Sequence, residues 1–218
     1  MTAKHYVVEH LDAELEAWSK LEYLTIAEES IPKTDTVETA SPTFHLTSLP
    51  EELYQNLPAE LTAHKNLHAT TEEVIKLAGL KPEEVVLLDP RAEKDMNPED
   101  GETFRWFVFG GILGDDPPRD RTAELRKYGF TGRRLGPVQM TTDTAVRVTR
   151  LVVEDKIPLD KIPFVDFPEL KFSKNEATEM PFRYVKTEDG APIMPPVSPI
   201  VYSPPSVHRV KNQTTNKK

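Results

Sequence analysis

Two stretches decide how this chain is read: FVFGGILGDDPPRDRT at residues 107–122 and RRLGPVQMTTDTAVRVTRLV at residues 133–152. Each is a strand-like run that breaks at glycine and gives way to a helical pattern. The first break is Gly110-Gly111-Ile112-Leu113-Gly114, where no side chain need block a ligand's approach to the backbone. It matches neither the G-x-G-x-x-G dinucleotide pattern nor the phosphate loop, whose lysine is missing. The second break is Leu135-Gly136, followed by Gln139 and Met140-Thr141-Thr142-Asp143-Thr144 at a helix start. Thr141 or Thr142 can cap that helix, and Asp143 suits its positive end. The acid leaves little net positive potential there, so an amine or a ribose is an easier ligand than a carboxylate. Taken singly, each segment reads equally well as a turn or a cap. Together they can form two walls of one small-molecule pocket.

Outward from these stretches, strands and helices alternate. HYVVEH (5–10), TFHLTS (43–48), EVVLLD (84–89) and FRWFVF (104–109) read as strands. Helical patterns are expected at 12–30, 71–78, 119–128 and 142–155, with Gly79 and Gly129 closing the second and third. In the last, Ala145, Val148, Leu151 and Val152 form an apolar face opposite Arg147, Arg150 and Glu154. The alternation implies an α/β fold with a parallel sheet covered on both faces. Ligands in such sheets bind beyond the carboxyl ends of the strands. Residues 31–42 read as a loop, and 162–185 as an edge strand with a covering loop. From residue 189 the chain turns proline-rich and ends basic, as a disordered tail does. The pairs Ser198-Pro199 and Ser203-Pro204 there are phosphorylation candidates.

Composition narrows the function. A chain of 218 residues suits one substantial domain. Without cysteine there is no disulfide, thiolate metal site or cysteine nucleophile. No apolar run is long enough to cross a bilayer, and no secretory signal is visible, so a cytoplasmic location is expected. The net charge of -9 disfavours a nucleic-acid partner, which usually meets a basic surface, and favours small molecules or basic proteins. Arg119, Arg121, Arg126, Lys127, Arg133 and Arg134 form a local basic exception. His64 and His68 have the i, i+4 spacing of a metal pair without a third ligand, and no metal is expected. Asp115, Asp116, Glu176 and Glu179 are candidate acids near a pocket.

The motifs GGILGDDPPRDRT, RRLGPVQMTTDTA and NEATEMPFRYV resemble the fungal and archaeal SPOUT-class family whose yeast member is a protein arginine methyltransferase. Glu9-His10, Glu16, Trp18 and Leu21-Glu22-Tyr23 fit its N-terminal pattern, and LLDPRA at 87–92 fits as well. The likeness covers most of residues 4–187. It implies a SPOUT-type parallel sheet flanked by helices with a C-terminal trefoil knot, spanning residues 1–188 before a tail at 189–218. It implies S-adenosylmethionine as cofactor, held by three loops. These are Leu88-Asp89-Pro90, then Gly110, Gly111, Ile112, Leu113 and Gly114, then Leu135, Gly136, Gln139, Met140, Thr141, Thr142, Asp143 and Thr144. Thr141 replaces the arginine usual in relatives, which weakens an RNA contact there.

The resemblance further implies methylation of a basic small-subunit ribosomal protein. A guanidinium stays protonated, so the reaction needs a carboxylate to hold it and take its proton. Glu9, Asp115 and Glu176 are the candidates. A monomer is favoured over a knot-mediated dimer. The alternatives are a SPOUT RNA methyltransferase and a non-catalytic cofactor-binding module.

Overall fold

A computed structural model describes residues 3–31, 43–111, 122–173 and 176–195. In chain order the elements are β1 (His5–Glu9), α1 (Ala17–Glu29), β2 (Phe44–Thr47), α2 (Glu51–Gln55), α3 (Ala59–Thr62), β3 (Leu67–Ala69), β4 (Val85–Leu88) and α4 (Asp100–Thr103). Then come β5 (Trp106–Gly110), α5 (Thr122–Arg126), β6 (Thr131–Arg133) and α6 (Thr142–Val153). Four short strands close the described chain: β7 (Phe164–Asp166), β8 (Glu169–Ser173), β9 (Glu176–Glu179) and β10 (Arg183–Val185).

Six strands form one parallel sheet in the order β3-β2-β1-β5-β4-β6. Its central strands are buried on both faces, which is why they read as near-continuous apolar runs. Alternate residues serve opposite faces. Tyr6, Val8, Phe44, Leu46, Val86, Leu88, Phe107 and Phe109 pack in one core with Tyr23 and Ile26 of α1 and Val146, Val148 and Val152 of α6. Val7, Val85, Leu87, Trp106 and Val108 face the other way, onto Val74, Leu77 and Leu125.

Sheet order and the last helix together make an unusual crossing. β6 lies at the edge beside β4, and α5 before it covers the second face. The chain then runs along the β4–β5 connection: Arg134 N–H donates to Lys94 O at 3.0 Å, and Met96 N–H to Arg134 O at 2.9 Å. It emerges on the first face as α6, against α1 and α4. These contacts are consistent with the trefoil crossing that the resemblance implies. Arg133 is held beside the crossing by Asp100, with Nη2 2.9 Å from Oδ1.

Several expectations need correction. The first helix begins at Ala17 rather than at residue 12. The expected helix at 71–78 is a single 3-10 turn, Val74–Lys76, because Val74 and Leu77 must both reach the sheet while Val74 N–H is tied to Glu9. Gly79 and Gly129 do close their elements with positive φ. The described part of the third helix is Thr122–Arg126; residues 119–121 lie outside the described residues.

The apolar face expected for α6, Ala145, Val148, Leu151 and Val152, packs on the first core, but the opposite side is not simply a solvent face. Arg147 is buried, because Glu29 of α1 takes its guanidinium through Nε at 3.0 Å and Nη2 at 2.5 Å. The region 162–185 holds two antiparallel pairs, β7 with β10 and β8 with β9. Met180, Phe182 and Tyr184 form a third core with Trp18. Backbone bonds continue past residue 188, since Thr187 N–H donates to Ala191 O and Ile193 N–H to Val185 O. Residues 196–218, with both Ser-Pro pairs, lie outside the described residues.

Candidate active site

The carboxyl ends of β4 and β5 meet the β6–α6 connection around a cavity of about 330 Å³. This is the size of a small-molecule site and the place where a parallel sheet offers one. Leu88, Asp89, Pro90 and Arg91 line it from β4, and Phe109 and Gly110 from β5. Arg134, Leu135, Gly136, Pro137, Val138, Gln139 and Met140 form the opposite wall, with Thr142 and Ala145 of α6 behind them. Thr122 and Arg126 of α5 complete the rim. Gly136 has φ +88°, a conformation that side-chain-bearing residues rarely adopt, so glycine at this turn is a backbone requirement.

Asp89 is buried and bound side-on by Arg126, Nε to Oδ2 at 2.5 Å and Nη2 to Oδ1 at 2.6 Å. It also accepts Arg91 N–H at 2.9 Å, so one carboxylate fixes the loop after β4 to α5. Two polar atoms of the wall, Gln139 Nε2 and Thr142 Oγ1, are buried without a hydrogen-bond partner. Buried polar groups are normally paired. The remaining lining is largely apolar, as a nucleoside base requires.

Of the residues expected to bind the cofactor, Leu88, Asp89, Pro90, Gly110, Leu135, Gly136, Gln139, Met140 and Thr142 line this cavity. Gly111, Thr141, Asp143 and Thr144 do not. Thr141 Oγ1 donates to Thr144 Oγ1 at 2.8 Å inside the fold, and Asp143 turns toward Arg147, 3.5 Å from Nη1. Ile112, Leu113, Gly114 and Asp115 lie outside the described residues. Arg91, Phe109, Thr122 and Ala145 were missed, Arg126 and Arg134 were read only as part of a basic patch, and Pro137 and Val138 fall within the 135–144 loop expected to hold the cofactor. Phe109 was findable as the residue before Gly110. Nothing in the local pattern shows that Arg126, among the basic residues around it, is the one that pairs with Asp89.

Glu9 is brought to the end of β1 but not to the cavity. Its carboxylate accepts from the hydroxyls of Thr47 and Ser48 and from Val74 N–H, so it ties β1 to β2 and to the Val74 turn. Glu176 opens β9, in register with Ser173. Glu179 is exposed. His64 follows α3 while His68 lies in β3, so they share no helix face. Among the described residues no three His, Asp or Glu side chains are grouped to hold a metal.

Behind Thr142 sits a second pair of acids. Glu22 of α1 is 0% exposed and accepts Thr142 N–H at 3.1 Å, while Asp143 beside it is 1% exposed. Burial, and next the charge of Asp143, push the Glu22 carboxyl well above the usual carboxylate range. Burial also raises Asp143, against the pull of Arg147. Between the ordinary carboxylate range and these raised values, the folded chain keeps protons that the unfolded chain releases. Their contribution to stability therefore falls as pH rises through that window. Glu22→Gln, which carries no such charge, should melt higher than the parent at neutral pH, with the gap closing toward pH 4. Thermal melts across pH check this; a gap unchanged by pH would contradict it.

The sequence profile described as "Protein arginine N-methyltransferase SFM1-like" matches residues 5–198. The chain belongs to this family. It is 44% identical over 200 residues to Protein arginine N-methyltransferase SFM1 of Saccharomyces cerevisiae, covering 87% of this chain and 90% of that protein. A crystal structure of the yeast arginine methyltransferase SFM1 complexed with SAM superposes with a TM-score of 0.78 at 45% identity, covering 89% and 88% of the two chains. The complex of full-length spTrm10 with SAH shares the fold at 14% identity, with a TM-score of 0.50 over 73% of this chain and 93% of that one.

Proposed function

We propose that this member of the SFM1-like family transfers the methyl group of S-adenosylmethionine to an arginine of a basic small-subunit ribosomal protein, giving a monomethylated side chain. The observation that carries this is the cavity at the ends of β4 and β5. Glycine-bearing backbone and a nucleoside-sized, largely apolar lining meet there. Leu88, Leu135, Val138, Met140 and Ala145 would enclose the adenine and ribose, with Gln139 and Thr142 meeting polar edges. The bound cofactor supplies an electrophilic methyl group on a sulfonium.

The chain's own task is alignment, since an in-line displacement gains most from positioning the reacting atoms. The acceptor is a guanidinium, which must lose one N–H proton as its nitrogen takes the methyl carbon. Glu9 is engaged by three donors, so the carboxylate that holds the guanidinium and takes that proton is assigned to Asp115 or Glu176. The net charge of -9 favours a basic substrate over RNA. The enzyme is assigned to the cytoplasm and acts as a monomer.

The test is incubation with isotopically labelled S-adenosylmethionine and ribosomal subunits from cells lacking this methylation. Label should appear in one protein, as monomethylarginine after hydrolysis. Asp115→Ala or Glu176→Ala should lower that incorporation by roughly 100-fold. Label in RNA would overturn the choice of acceptor. Full activity in both variants would overturn the choice of base.

A further inference from the structure

Phe167 combines two features that core packing does not explain. Its backbone lies in the left-handed region at φ +50°, and the residue is 49% exposed. Exposed apolar residues are common on protein surfaces, so exposure alone carries nothing. A bulky residue at positive φ is different, because its Cβ crowds the backbone and glycine would fit at lower cost. Such strain persists only where the surroundings over-determine the conformation. Two backbone bonds do so here: Phe167 N–H donates to Phe182 O and Met180 N–H to Pro168 O, both at 3.0 Å. The strained turn therefore fixes an aromatic ring at the surface before any partner arrives.

The turn stands beside the cofactor cavity. β7 pairs with β10, and β10 meets the cavity wall where Arg183 N–H donates to Gln139 O at 2.9 Å. The Arg183 guanidinium grips Asp166 through Nε at 2.6 Å and Nη2 at 2.8 Å. Its Nη1 is 3.9 Å from where a Cβ on Gly136 would stand. One side chain thus links the residue before Phe167 to the glycine turn that lines the cavity. Two strand spacings, about 10 Å, separate the backbone at Phe167 from that at Gln139. Just past the turn, Glu169 and Glu179 are exposed and lie directly opposite each other across β8 and β9.

We propose that Phe167 is a substrate-docking residue, whose ring receives a cationic side chain flanking the arginine to be methylated. This role rests on the protein-substrate reading above and adds to it the residue that meets the flanking sequence. An extended chain rises about 3.3 Å per residue, so about three residues separate the ring's partner from the target arginine. The target itself is not the side chain on the ring, because its guanidinium must reach the cofactor. A lysine or arginine fits because the face of an aromatic ring attracts a cation. Glu169 and Glu179 add to that attraction and repel the phosphates of RNA. Asp166 and Arg183 offset each other and leave this balance unchanged.

The experiment is steady-state methylation by the full chain with labelled S-adenosylmethionine. The probe is small ribosomal subunits from cells lacking this methylation, and the variants are Phe167→Gly, Phe167→Ala and Phe167→Trp. Loss of the ring should raise the KM for the subunits about three- to fivefold. The kcat and the affinity for S-adenosylmethionine should stay at parent values, and Phe167→Trp should keep the parent KM. Thermal melts separate docking from structure. Glycine relieves the backbone and alanine does not, so Phe167→Gly should melt roughly 2–4 °C above Phe167→Ala. Both should nevertheless raise KM alike. A KM that follows the melting temperature would give the ring a structural role and overturn the proposal. So would an unchanged KM, or a loss of self-association on light scattering in place of a KM change. A parent that labels no protein would overturn the acceptor reading, and this role with it. Label in protein at equal KM for parent and variants would defeat the docking role alone.

Discussion

Ala145→Phe is expected to abolish cofactor binding while leaving the fold in place. Ala145 lies on the first turns of α6, where its methyl forms part of the cavity wall behind Gly136 and Gln139. The cavity of about 330 Å³ has room for one nucleoside-sized ligand and little more. A phenyl ring projected from this position occupies the space that the ligand needs. The helix itself should tolerate the change, because phenylalanine costs only about 0.5 kcal/mol more than alanine in a helix. Much of that is offset by apolar contact within the cavity. The affinity for S-adenosylmethionine should fall by at least about 100-fold, equivalent to nearly 3 kcal/mol, with the melting temperature of the free protein little changed. Calorimetric titration and a thermal melt on the same sample separate the two effects. Undiminished binding would place the cofactor somewhere other than this cavity.

Gly101→Ala should produce the largest loss of stability from a single methyl group. A Cβ at residue 101 would stand 2.6 Å from the carbonyl oxygen of Val153 and 2.9 Å from its Cβ. Neither atom can retreat easily. Val153 is the last residue of α6, buried at 2% exposure, and α6 is fixed on its other side by α1 and the sheet. Gly101 lies in the β4–β5 connection, along which the chain passes on its way from β6 to α6. The added methyl group therefore pushes apart the two segments that the crossing brings together. Overpacking of this kind costs about 2–3 kcal/mol. For a chain of this length that corresponds to a fall in melting temperature of roughly 5–10 °C. Gly190→Ala is a useful contrast, since its Cβ would meet nothing within 4 Å and only its φ of +88° is unfavourable. Its cost should be nearer 1 kcal/mol. Comparable losses for the two would argue against close α4–α6 contact.

These two residues also show how differently the site and the fold are written in the chain. The strands were legible because a parallel sheet covered on both faces demands apolar side chains on both, leaving runs such as VVLL and WFVFG. Gly110 and Gly136 were legible as interruptions of such runs. Gly101 was not, because nothing local to DGET shows that a helix ending more than fifty residues later will press on it. The polar side of α6 was misread for the same reason. Arg147 fits a solvent-facing position until Glu29, 118 residues earlier, is brought against it. Arg126 and Thr122 reach the rim of the cavity from a helix whose sequence looks like ordinary surface.

By itself, the sequence determined the class of fold, the strands β1, β2, β4 and β5 that carry most of the sheet, and the two glycine breaks beside the cavity. These features are local or depend on burial alone, and local propensity and hydrophobic pattern encode both. Only the tertiary structure decided which face of the 135–144 segment meets the cavity. It turned Thr142 and Gln139 outward to the ligand space and Thr141, Asp143 and Thr144 inward. It also joined Asp143 to Glu22 and gave the Glu9 carboxylate three donors at the end of β1, away from the cavity. Those assignments depend on the register with which α6 settles against α1 after the crossing. Register is set by contacts between residues far apart in the chain, and no short stretch of sequence contains it.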